Sequence, residues 1–204
     1  MTGTGEAATP VDQVTVSLGV DVLRPDAGDA FRAASATVGT LLQVLSDGGV
    51  DSRSVRTQDL TLGPRTDWKD GRQDVIGYAA GQRIVVLLKS LQGIEQLLTD
   101  VATRAGEGVR IDGVVLSAGD TGPAAQRARD EAYADAREKA EQFAALAGRV
   151  LGRVIAMREG EHHGGMPRTK GVMDLSASAS PMPVATGDTS VTASVTVTWA
   201  FEPV

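Results

Sequence analysis

Ala124, Ala128, Ala132, Ala136, Ala140 and Ala144 recur at every fourth residue. On an α-helix that spacing builds an i±4 ridge. A ridge of methyl groups lets the helix backbone come close to a sheet or to another helix. Gly122-Pro123 opens the predicted helix, since proline is tolerated in a first turn. From Ala124 to Gly148 it would run about 35 Å. Asp135–Lys139 and Arg137–Glu141 are i,i+4 pairs of opposite charge, expected on its outer surface.

The segments before the ridge alternate strand and helix. Val14, Val16, Leu18, Val20 and Val22 alternate with polar residues, which predicts a half-buried strand. Arg24-Pro25-Asp26 ends it and starts a helix whose apolar stripe is Ala27, Ala30, Phe31, Ala34, Val38, Leu41, Leu42 and Leu45. Gly48-Gly49 then stops that helix. Val55 and Thr57 share one parity and Leu60 and Leu62 the other, so a β-bulge near Gln58-Asp59, or a strand buried on both faces, is expected. Asp70-Gly71 is a tight-turn signal. It predicts a long hairpin, with Trp68 near its tip and a returning strand from Val75 to Lys89. That strand is apolar on both parities in its second half, as a central strand would be.

Ser90 is the expected cap of a second helix with the stripe Leu91, Ile94, Leu97, Leu98, Val101 and Ala102. Val109, Ile111, Gly113 and Val115 predict a strand, and Val150 to Met157 another. The closing segment from Val191 to Phe201 alternates cleanly with threonines and serine. The order is β-α-β-β-α-β-α-β-β, whose first six elements match a split βαβ arrangement. The fold class expected is α+β: one domain spanning residues 1–204, a largely antiparallel sheet with helices packed on it, and a protruding β-hairpin. Residues 159–188 are Gly-, Ser-, Pro- and Met-rich without periodicity and form a long loop within that domain.

Composition narrows the function. The chain has 204 residues, no cysteine, 20 Lys and Arg against 26 Asp and Glu, and a net charge of −6. Thiol catalysis and zinc–thiolate sites are excluded. Nucleic-acid binding needs a clustered basic surface, and here no basic run exceeds two residues. The longest strongly apolar run, Ile84 to Leu88, is far short of a bilayer span. No basic-then-apolar leader is visible in the first 25 residues. The chain as it stands reads as cytoplasmic, or as periplasmic or secreted had a leader been removed.

No residue set carries catalytic chemistry. His162 and His163 are adjacent in a glycine-flanked loop, and no Gly-rich phosphate loop precedes a helix. Asp21, Asp59 and Asp112 lie in or beside strands. A carboxylate pair can hydrolyse glycosides, but acids on a solvated face are the commoner case. We therefore assign no catalytic residue, no cofactor and no enzymatic activity. Met166, Met173 and Met182 share the long loop with His162 and His163, and thioethers with imidazoles suit copper(I). A ligand- or metal-binding module using that loop is the alternative reading. Trp68, Tyr78 and Pro64 on the ribbon are the candidate oligomer contacts, because aromatic side chains anchor interfaces.

Several of these features together resemble the SIMPL family. They are the run Thr57-Gln58-Asp59-Leu60-Thr61-Leu62, the aromatic Trp68, the turn Asp70-Gly71 and the pair Gly77-Tyr78. The alanine ladder, Gly148 and Gly152, the closing strand and the opening Gly3-Thr4-Gly5-Glu6 fit the same pattern, so the likeness covers the whole chain. It implies an α+β fold, self-association into a homo-oligomer and an exported or periplasmic setting, with a link to oxidative stress. It implies no shared reaction. The chain is read as a non-enzymatic, self-assembling protein that serves in stress protection or cell-envelope upkeep.

Overall fold

The computed structural model describes residues 1–69, 71–160 and 187–203. In chain order the elements are β1 (Thr2–Pro10), β2 (Gln13–Arg24), α1 (Ala27–Asp47), a 3-10 turn (Ser52–Ser54), β3 (Val55–Lys69), β4 (Arg72–Leu88), α2 (Ile94–Arg104), β5 (Val109–Ser117), α3 (Gly122–Leu146), β6 (Val150–Glu159) and β7 (Asp188–Glu202). The α+β class holds, and every strand pairing among the described residues is antiparallel. The strands divide between two sheets, in the orders β3-β4-β2-β5 and β1-β7-β6. The described residues form two compact units, one of residues 12–117 and one of residues 1–11, 118–160 and 187–203.

The 12–117 unit is the split βαβ arrangement, with β4 lying between β2 and β3. The period-2 pattern of β2 puts Val14, Val16, Leu18, Val20 and Val22 on one face, where Ile84 and Val86 of β4 join them. α1 and α2 cover that face through Ala30, Ala34, Val38, Leu41, Val44 and Leu45 and through Ile94, Leu97, Leu98 and Val101. The Asp26 carboxylate caps α1 by accepting from the backbone N–H groups of Gly28 and Asp29, at 2.8 and 3.2 Å. Such a cap satisfies amides that have no partner inside the helix.

Three local expectations shift. Val44 is buried in the α1 stripe, whereas Phe31 and Leu42 are exposed at its margin. Ser90 does not cap α2: its hydroxyl accepts from the Gln92 N–H, and the helix starts three residues after Leu91 behind Gly93. In β5 a register shift opposite Ser17 and Leu18 changes the parity, so Val114 and Leu116 pack on the core while Val115 is exposed.

The second unit rests on the alanine ridge. All six ridge alanines are buried, and four of them cluster with Ala7, Ala193, Val195 and Val197. The preceding strand, β1, was not expected from the sequence, and its glycines explain the fit. A Cβ at Gly3 would lie closer than 3.0 Å to the Ala132 carbonyl oxygen and the Ala136 amide nitrogen. One at Gly5 would meet the Ala128 carbonyl oxygen and the Ala132 nitrogen in the same way. Small residues on both sides thus bring the helix backbone against the strand backbone. Tyr133 and Trp199 pack against this cluster, ring centroids 6.3 Å apart.

This packing predicts a contrast between two glycine substitutions. Gly5→Ala forces α3 away from β1 and should lower stability in urea unfolding by about 1–3 kcal/mol. Gly39→Ala, inside α1 with nothing within 4 Å of the added methyl, should raise it by about 0.5–1 kcal/mol.

Candidate functional site

β3 and β4 form a ribbon longer than the helices that cover the sheet. β4 has 17 residues, about 56 Å at a strand's rise. α1 has 21 residues and is only about 32 Å long. Of the two alternatives for the parity switch, the bulge is present, as a register shift between Thr57 and Asp59, and a second follows between Arg65 and Thr66. Gly71, at φ +76°, occupies the left-handed region at the turn. β3 is an edge strand.

From Asp59 onward, the even-numbered residues of β3 share the face of the buried Ala80. Leu62 pairs with Ala80, Pro64 with Tyr78, Thr66 with Val75 and Trp68 with Gln73. The Gln73 amide donates to the Thr66 hydroxyl at 2.7 Å, which confirms their common side. The core-side face therefore continues outward past the helices. Along it Leu60 is 57% exposed, Leu62 48%, Val75 59% and Trp68 70%. Of the three expected contact residues, Trp68 and Pro64 are exposed, whereas Tyr78 is half-buried against the core of its own unit. Leu60, Leu62 and Val75 were not singled out from the sequence. Leu60 and Leu62 share a parity visible in the sequence, whereas Val75 reaches their side only through the register shift between Arg65 and Thr66.

The opposite face of this sheet carries charge. Arg65 donates to both Asp21 oxygens at 3.1 and 2.8 Å, and Arg110 donates to Asp112 at 2.6 Å. Arg83 lies 3.5 Å from the other Asp112 oxygen. Asp59 lines the same shallow groove. Gly19 leaves the space: a Cβ there would stand 2.8 Å from the Arg110 Nε and 2.9 Å from Asp112. Of the acids weighed above as a hydrolytic pair, Asp21 and Asp112 are held by arginines.

In the other unit, α3 closes one sheet edge with side chains. Arg127 donates to the Ala8 carbonyl at 2.6 Å, and Lys139 to the Thr2 carbonyl at 3.4 Å. The Glu131 carboxylate accepts from the Glu6 N–H, and that of Asp135 from the Thr4 N–H. Four helical residues rise about 6 Å and two strand residues about 6.6 Å, so successive turns of α3 meet successive outward groups of β1. The Asp135–Lys139 pair, placed on the outer surface by the sequence reading, belongs to this seal. Hydrogen bonds from the Lys139 ammonium, and then from the Thr4 amide, hold the Asp135 carboxyl below the ordinary aspartate range. Charged side chains on an edge discourage the addition of another strand.

His162, His163, Met166, Met173 and Met182 lie outside the described residues. Among the described residues no group of three or more His, Cys, Asp or Glu is placed to hold a metal ion. No helix among them is long and apolar enough to cross a membrane.

Residues 1–199 match the family model SIMPL, described as a protein of unknown function (DUF541). The chain belongs to the SIMPL family. It is similar to a 26 kDa periplasmic immunogenic protein of Brucella melitensis, 25% identical over an alignment that takes in 99% of this chain and 84% of that protein. It is also similar to the uncharacterized protein YggE of Escherichia coli, 28% identical over 76% of this chain and 63% of that protein. A designed protein, Foldit4, covers 53% of the SIMPL chain at a TM-score of 0.29 and 13% identity, too distant to argue from.

The edge seal has a pH signature. Ionised Asp135 is the form bound in the folded state. Its contribution is therefore present above the unfolded-state pKa and lost as pH falls through the lower folded-state value. The loss begins below about pH 4. Asp135→Asn keeps an acceptor for the Thr4 amide but cannot titrate. Its thermal midpoint should fall less than that of the parent chain between pH 6 and pH 3.

Proposed function

We propose that this SIMPL protein works by assembling with copies of itself, its β3–β4 ribbon docking on a neighbouring subunit, without catalysing a reaction. The whole chain acts as one SIMPL domain in this reading, and its role is stress protection or upkeep of the cell envelope. The compartment inferred is the periplasm, the one named for the Brucella relative, in place of the cytoplasmic expectation.

One observation carries the reading: among the described residues nothing covers the core-side face of the ribbon, and Trp68 is 70% exposed near its end. A two-stranded ribbon is marginal alone in water and gains order when its apolar face is covered. Leu60, Leu62, Val75 and Trp68 supply such a face. Tryptophan buries a large area for little rotamer entropy, which makes Trp68 the expected anchor.

Size-exclusion chromatography with light scattering tests the proposal. An oligomer is expected at micromolar concentration, and a monomer there would refute it. Trp68→Ala should weaken assembly by about 2 kcal/mol or more, the loss typical of an interface anchor. That corresponds to about a thirtyfold rise in dissociation constant. An unchanged assembly would remove Trp68 from that role.

A further inference from the structure

A second feature of the 12–117 unit lies where β3 begins and β4 ends. A cleft of about 760 Å³ opens there, between the glycines that follow α1 and Gly93 at the start of α2. Its volume is within the range of small-molecule sites. Arg53, Arg56 and Lys89 line it, and among the described residues none of them forms an ion pair with a carboxylate. Among the described residues Asp51 is the one acid in the lining. Its carboxylate accepts the Arg53 backbone N–H at 2.9 Å and caps the short turn there.

The charge of the cleft runs against that of the chain. Acids outnumber Lys and Arg by 26 to 20 in the sequence, yet among the described residues three cations to one acid line this cavity. Several other arginines of the unit are matched, as Arg65 and Arg110 are by Asp21 and Asp112. Like charges held together without partners cost free energy, and an incoming anion relieves that cost. The walls are of another kind: Val50, Leu88, Ile94 and Leu97 also line the cleft. The Leu97 side chain reaches Gly48, where an added Cβ would come within 2.6 Å of its Cδ1.

We infer that this cleft binds a single-chain anionic amphiphile, its carboxylate or phosphate held by Arg53, Arg56 and Lys89 and its apolar chain lying on the Val50–Leu88–Ile94–Leu97 wall. Arginine forks suit both head groups, since carboxylate and phosphate each accept paired N–H donors. Free fatty acids and lysophospholipids share this chemistry. The inference is independent of self-assembly, because every residue in it lies away from the ribbon's exposed face.

Isothermal titration of the full chain with dodecanoate and with dodecyl phosphate, both below micelle formation, tests it. Saturable binding of at least one is expected, weakening as salt screens the head-group contacts. Preference for dodecanoate would point to fatty acids, and preference for dodecyl phosphate to lysophospholipids. A chain with Arg53→Ala, Arg56→Ala and Lys89→Ala, shown by circular dichroism to keep its fold, should bind about tenfold more weakly or worse. Each single substitution should show a smaller loss and serves should the triple variant fail to fold. Absence of saturable binding would overturn the inference. So would affinity unchanged by these substitutions, equal affinity for dodecyltrimethylammonium, or equal affinity for inorganic phosphate without a chain.

Discussion

A strand advances more than twice as far per residue as a helix, and much of this protein follows from that difference. In the 12–117 unit, chain segments of similar length make α1 and β4, so the helical layer ends long before the sheet does. The face that buries Ile84 and Ala80 continues along the ribbon, through the alternation of β3 and a register shift that turns Val75 to the same side. Covering it requires something other than α1 or α2. The proposed self-assembly answers that geometric demand, and Trp68 is the residue with most apolar surface to gain from it.

The smaller sheet resolves its own edge differently. There α3 lies so close to β1 that the strand carries no side chain at Gly3 or Gly5. The next row of helix residues, Arg127, Glu131, Asp135 and Lys139, supplies donors and acceptors to β1's outward backbone groups. This treatment discourages strand addition at β1. The ribbon, by contrast, has an edge strand with an apolar face. On this account, association between copies is directed to the ribbon and kept from β1.

How much of this could be read from the residues depends on side-chain size. β2, β7 and α1 carry bulky apolar residues at regular spacing, and their pattern states both element and buried face. The alanine ridge was equally legible, although its partner was not. β1 reads TGTGEAATP because a helix backbone occupies the space its side chains would need, and a strand with no bulk has little hydrophobic signal. The turn at Gly71 and the bulge near Asp59 were visible through backbone chemistry and a parity switch. The β5 bulge leaves no mark in the sequence, because Val109, Ile111, Gly113 and Val115 look like one unbroken alternation. At the candidate site, Trp68 stands out by residue type. Leu60, Leu62 and Val75 become notable only once the reach of the helices is known. The Arg53–Arg56–Lys89 cleft joins segments more than thirty residues apart, which single-sequence spacing cannot bring together.

The central claim is that the uncovered ribbon face is buried by another copy of the chain. The sequence has two tryptophans, and Trp199→Phe would leave Trp68 as the sole indole reporter while keeping an aromatic ring beside Tyr133. The emission of that variant, followed by dilution from high to low concentration, measures the environment of the ribbon tip directly. The account predicts blue-shifted emission in the concentrated sample, moving to the red as copies separate. Emission that stays red and water-exposed at every concentration would contradict it.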